Sequence, residues 1–116
     1  MYTIRKQFSF SAAHQLTGLA ADHPCMRLHG HNYLVEVVLT GRLNPNCFVR
    51  DYRELDELKR FIDEEIDHKN LNDIFEFQTT AENLAHNFYN WCKIRWPETS
   101  CVRVSETPKT WAEYAV

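Results

Sequence analysis

Apolar and polar residues alternate with a period of two at both ends of the chain and with a helical period in its middle. Over residues 2–14, Ile4, Phe8, Phe10, Ala12 and His14 share one phase, which predicts a strand. Over 31–40, Tyr33, Val35, Val37 and Leu39 repeat the pattern, in phase with His29 and His31. Residues 15–28, with Gly18, Pro24 and Cys25, read as the loop between them. Asp51 with Glu54 reads as a capping box, and Leu55, Leu58, Ile62 and Ile66 then mark a helical stripe to about residue 66. A polar stretch, 67–70, ends it. Thr79 with Glu82 reads as a second capping box. Its helix runs through Leu84, Phe88, Trp91, Cys92 and Arg95 until Pro97 stops it. Residues 101–106 and 111–116 then predict two short strands around Thr107-Pro108-Lys109. Helices segregated between two strand pairs define an α+β chain with an antiparallel sheet, ββααββ.

At 116 residues this is one domain, and so short a core leaves stability modest unless subunits share surface. A 44% hydrophobic content and a mean hydropathy of -0.49 describe an ordinary globular protein. Fifteen aromatic residues (seven Phe, five Tyr, three Trp) exclude a disordered one. The net charge of -3 gives no support to nucleic-acid binding. No apolar run is long enough to span a bilayer, and residues 1–20 lack a signal-peptide core, so the expected compartment is the cytosol. The cysteines at 25, 47, 92 and 101 form no C-x-x-C pair and are expected to be free thiols.

The candidate chemistry lies in histidines and carboxylates. His29 and His31 flank Gly30 and project to one side of a strand start. His14 ends the first strand on its apolar phase, so antiparallel pairing would bring all three imidazoles together. Three imidazoles suit zinc and leave a fourth position open for water or substrate. An H-x-H pair alone arises by chance; His14 in phase and a cysteine four residues before His29 shift the balance. The Cys25 thiolate could act as nucleophile or base, or the residue could be a small buried hydrophobe, the reading given to Cys47, Cys92 and Cys101. Asp67-His68 reads either as a general acid–base pair or as a solvated cap. Glu106 ends a strand in phase with Val102 and Val104. It either reaches solvent or meets a ligand whose two donors match its two oxygens, such as an amino-pyrimidinone edge.

Together these residues resemble the 6-pyruvoyltetrahydropterin synthase family. The matching stretches are Phe10-Ser11-Ala12-Ala13-His14, Cys25-x-x-x-His29-Gly30-His31-Asn32-Tyr33, Asp67-His68-Lys69-Asn70-Leu71-Asn72, Thr79-Thr80-Ala81-Glu82-Asn83 and Ser105-Glu106-Thr107. They run in family order over nearly the whole chain. The resemblance implies the tunnelling fold: a four-stranded antiparallel sheet backed by two helices, with three subunits closing their sheets into a barrel and two trimers stacking as a homohexamer. It implies zinc on His14, His29 and His31, a proton shuttle of Cys25, Asp67 and His68, and a pterin ring anchored by Glu106. It also implies active sites between subunits, with Asp67 and His68 looking into a neighbour's metal site. The three-residue gap between Cys25 and His29 resembles the carboxy-forming branch of queuosine biosynthesis, whose substrate is dihydroneopterin triphosphate. The alternatives are the pyruvoyl-forming branch and a non-catalytic zinc- or pterin-binding module. No redox cofactor is implied. Arg27, Lys69 and Lys109 are candidates for the triphosphate by their nearness to motif residues.

Overall fold

The computed structural model describes all residues from Met1 to Val116. Its four strands are β1 (Tyr2–His14), β2 (His29–Gly41), β3 (Thr99–Thr107) and β4 (Thr110–Ala115), in spatial order β1-β2-β3-β4 and antiparallel throughout. The helices between β2 and β3 are α1 (Asp56–Glu65), a four-residue α2 (Leu71–Ile74) and α3 (Ala81–Arg95).

The period-two phases set the face each strand buries. Phe8, Phe10 and Ala12 on β1 join Tyr33, Val35, Val37 and Leu39 on β2 and Val102 and Val104 on β3 in one core. Leu58 and Ile62 of α1 and Leu84, Phe88 and Cys92 of α3 cover that face. Burial pushes the Cys92 thiol up to about 12, so it behaves as a small apolar residue. The opposite face is polar. There Glu36 is buried beneath Gln7 (2.9 Å) and Arg103 (2.8 Å). Burial raises its pKa, but those two hydrogen bonds outweigh it and hold the carboxyl below its ordinary value.

Several boundaries differ from the sequence reading, each for a local reason. The Asp51–Glu54 capping box forms, but it opens a 3-10 turn (Tyr52–Leu55) ahead of α1, a common way to tighten a first turn. The second capping box does not form: the N-cap of α3 is Thr80, whose hydroxyl accepts from the Asn83 amide, and Thr79 is used elsewhere. Strand β2 begins at His29, because His29 and Gly30 pair with His14 and Ala13. The α2 turn was not foreseen: it is too short for a periodic signal and is held by its N-cap Asn70.

Candidate metal centre and active site

Strand register creates the histidine cluster. His14 stands opposite His29 and Ala12 opposite His31, so the three rings lie on the core face at one end of β1 and β2. Their centroids are 4.6, 4.8 and 5.2 Å apart, and one ligand atom from each falls within 4.8 Å of the others.

The outer nitrogens settle two tautomers. Nδ1 of His14 lies 2.8 Å from the Thr79 carbonyl, with the Thr79 hydroxyl at 3.1 Å; Nδ1 of His29 lies 2.7 Å from the Arg27 carbonyl. A carbonyl only accepts, so each Nδ1 carries the proton and donates it. In the neutral rings both Nε2 atoms are then lone pairs, and they face each other at 2.9 Å. Two such lone pairs repel, whereas a shared cation is attracted to both. His31 Nε2 is also buried, without a hydrogen bond, at 3.4 Å from Glu106 Oε2. Burial depresses the pKa of His14 and of His31 below the ordinary value, opposed for His14 by the Thr79 carbonyl and for His31 by the Glu106 carboxylate. Three converging imidazoles, two of them with the far nitrogen tied to a carbonyl, are a donor set that suits a metal, and the triad fits zinc.

Thr79, fully buried and 65 residues from His14, is the contributor the sequence reading missed. The Thr79-x-x-Glu82 spacing makes it look like the helix cap. A second neighbour is Tyr33, whose ring stacks on Phe10 at 4.7 Å. Its buried hydroxyl finds no partner, and burial raises its pKa.

Glu106 sits where β3 slips register against β4, between Val104 and Thr107. Its carboxylate lies beside His31 and on the wall of a cleft shared with Glu82, Trp111 and Glu113. Asp67 and His68 occupy the outer edge of β1. Asp67 Oδ1 accepts from the Ser11 amide at 2.8 Å, and the His68 amide donates to the Ser11 carbonyl at 2.6 Å. His68 takes a left-handed φ of 62° to do so, and its Nδ1 lies 2.9 Å from Asp67 Oδ2. The Ser11 amide, then His68, holds the Asp67 carboxyl below its ordinary pKa. The pair is thus a hydrogen-bonded dyad, and the His68 ring is 82% exposed.

Cys25 lies in a 3-10 turn (Pro24–Met26) whose cap, His23 Nδ1, accepts from the Cys25 amide at 3.0 Å. The structure therefore brings His14, His29, His31 and Glu106 together and pairs Asp67 with His68. Within one chain it joins neither the dyad nor the Cys25 thiol to the triad by a hydrogen bond or ion pair. The cleft beside His68 is lined by Ser11 and Asn32, whose hydroxyl and carboxamide bond each other, and also by His31 of the triad. Of the basic candidates, Lys69 donates to the Glu64 carbonyl, Arg27 serves through its backbone, and Lys109 lies in the β3–β4 turn.

The sequence pattern of the 6-pyruvoyl tetrahydropterin synthase family matches residues 3–116, and the chain belongs to that family. It is 33% identical over 105 residues to a provisionally named 6-carboxy-5,6,7,8-tetrahydropterin synthase of Archaeoglobus fulgidus, covering 90% of this chain and 88% of that one. It is 30% identical over 143 aligned positions to 6-carboxy-5,6,7,8-tetrahydropterin synthase of Haemophilus influenzae, covering 98% and 99%. The Caenorhabditis elegans 6-pyruvoyl tetrahydropterin synthase structure superimposes with a TM-score of 0.87 at 29% identity, covering 99% of this chain and 95% of that one. The fold is that of this family of pterin synthases.

Proposed function

We propose that the chain is a zinc-dependent 6-carboxytetrahydropterin synthase that converts dihydroneopterin triphosphate to 6-carboxytetrahydropterin, acetaldehyde and triphosphate in queuosine biosynthesis. The observation that carries this reading is the convergence of three imidazoles beside Glu106, with Cys25 four residues ahead of His29 in the preceding turn. The carboxy-forming names of two relatives that align over most of their length support the branch.

His14, His29 and His31 would hold the ion, which when bound supplies Lewis-acid chemistry that lowers the pKa of a substrate hydroxyl. Glu106 offers two oxygens to the paired donors of the pterin's amino-pyrimidinone edge. Cys25 removes a proton from a side-chain carbon, and His68, oriented by Asp67, returns one as the side chain tautomerises. Triphosphate leaves by elimination, and carbon–carbon cleavage with uptake of one water releases acetaldehyde and leaves the carboxylate on the ring.

His68 is exposed and makes no hydrogen bond or ion pair with its own triad, and we read its partner as the Cys25 of a neighbouring subunit. That arrangement accords with one catalytic domain per chain in a homohexamer of two trimers, whose sheets close into barrels. No helix is long and apolar enough to cross a membrane, and the four free cysteines accord with the cytosol.

The pyruvoyl-forming reaction is the second reading, favoured by the name of the superimposed C. elegans structure. Incubating the zinc-loaded protein with dihydroneopterin triphosphate decides between them. We expect acetaldehyde in equal amount to 6-carboxytetrahydropterin. A pyruvoyl product without acetaldehyde would move the chain to the other branch, and bound pterin without turnover would make it a binding module.

A further inference from the structure

The outer edge of β1 is bonded well past the end of the strand, and the manner of bonding changes along it. At Ser11 and Ala13 the partners come from the 67–69 segment: Asp67 Oδ1 and the His68 amide meet Ser11, and the Lys69 carbonyl accepts from the Ala13 amide at 3.0 Å. At Gln15 and Thr17 there is no partner strand. Instead, two side-chain carboxamides stand in for peptide groups. Asn72 accepts from the Gln15 amide through Oδ1 (2.7 Å) and donates to the Gln15 carbonyl through Nδ2 (3.0 Å). Gln78 does the same at Thr17, accepting at 3.1 Å and donating at 2.8 Å. Each carboxamide satisfies both edge-facing groups of one residue, as a neighbouring strand would.

The held segment in turn holds the cysteine turn. The Leu16 amide donates to the Cys25 carbonyl at 2.9 Å, and Gln15 Nε2 donates to the Met26 carbonyl at 2.7 Å. The two carboxamides are fixed themselves: the Asn72 amide donates to Asn70 Oδ1 (3.0 Å), and the Gln78 carbonyl accepts from Asn83 Nδ2 (2.9 Å) at the first turn of α3. A continuous hydrogen-bonded path therefore runs from the start of α3 and the α2 turn, through residues 15–17, to the Cys25 and Met26 carbonyls just after the Cys25 side chain.

We propose that Asn72 and Gln78 are positioning residues for Cys25, acting as surrogate strand partners that set where its turn stands relative to the histidines. This rests on the reading of Cys25 as a proton-transfer group. A loop of 14 residues between two strands has many conformations of similar energy. Four hydrogen bonds from two side chains select one of them without adding a strand that a further chain could extend.

The test is carried out on the full chain with Asn72→Ala, Gln78→Ala and the double variant. Alkylation of each cysteine by iodoacetamide is followed by mass spectrometry, and amide exchange at Gln15 and Thr17 by NMR. Cys92, fully buried, reports unfolding of the whole chain, and exposed Cys47 reports reagent activity. We expect Cys25 in the double variant to react about tenfold faster, with Cys92 and Cys47 unchanged and the Gln15 and Thr17 amides losing protection. We also expect kcat to fall while KM stays within about twofold, because the thiol is displaced but the pterin contacts are not. Cys25 labelling and amide exchange at the wild-type rate would overturn the proposal. A loosened turn with unchanged kcat would leave the clamp standing and remove Cys25 from the chemistry. If an alanine variant fails to fold, as fast Cys92 labelling would reveal, Asn72→Asp and Gln78→Glu carry the same test. Both keep the acceptor and the size while deleting the donor.

Discussion

His29→Ala is expected to leave purification with little of the one metal ion per chain expected for the wild type, and with activity at least about a hundredfold lower. The expectation follows from how the ring is held. Its Nδ1 proton is committed to the Arg27 carbonyl at 2.7 Å, so Nε2 is directed at its two neighbours and has no other role. Removing it deletes one donor of three and leaves an open triad with no side chain placed to replace it. The core beneath the site is built from Phe10, Tyr33 and Phe88, not from His29, so the variant should fold. Metal analysis together with a thermal melt separates the two effects. A full equivalent of metal in a folded His29→Ala protein would contradict the ligand assignment.

Mixing two inactive variants should restore activity. Cys25→Ala and His68→Ala each lack one proton-transfer group, and each is expected to be nearly inactive. Within one chain the His68 ring is tied to the outer edge of β1 through Ser11, whereas Cys25 is tied to the loop before the triad. If Cys25 of one subunit works with His68 of the next, dissociating, mixing and reassembling the variants creates interfaces in which both groups are intact. Random assembly makes about a quarter of the interfaces so. The expected readout is therefore a rise from background to about a quarter of wild-type turnover. If both groups act within one chain, activity stays at background even though mass spectrometry shows that subunits have exchanged.

The strands and the triad were legible because both depend on short-range phase. His29 and His31 repeat the side-chain direction of Tyr33 and Val35, and His14 that of Phe8 and Phe10, so antiparallel pairing alone suffices to bring them together. The main helices were legible from Leu58 and Ile62 and from Leu84 and Phe88 for the same reason. What escaped depends on contacts between residues far apart in the chain. Thr79 reaches His14 across 65 residues, and no local pattern separates a threonine that caps a helix from one whose carbonyl orients a ring. Asn72 and Gln78 look like ordinary polar loop residues until β1 is extended past them. Alternation with Val102 and Val104 puts Glu106 on the face of His31, whereas the register slip of β3 against β4 beside it has no signal in that alternation. His68 was placed at a helix end, but its left-handed backbone and its bond to Ser11 come from the edge of β1.

The central claim is that the three histidines hold a metal ion and that Cys25 stands outside its coordination shell as a base. X-ray absorption at the zinc edge of the loaded protein tests it most directly. The account predicts three imidazole nitrogens and one oxygen at about 2.0–2.1 Å. A sulfur shell at about 2.3 Å, lost in Cys25→Ala, would contradict it: the thiolate would then be a ligand, and the site would be closed rather than catalytic.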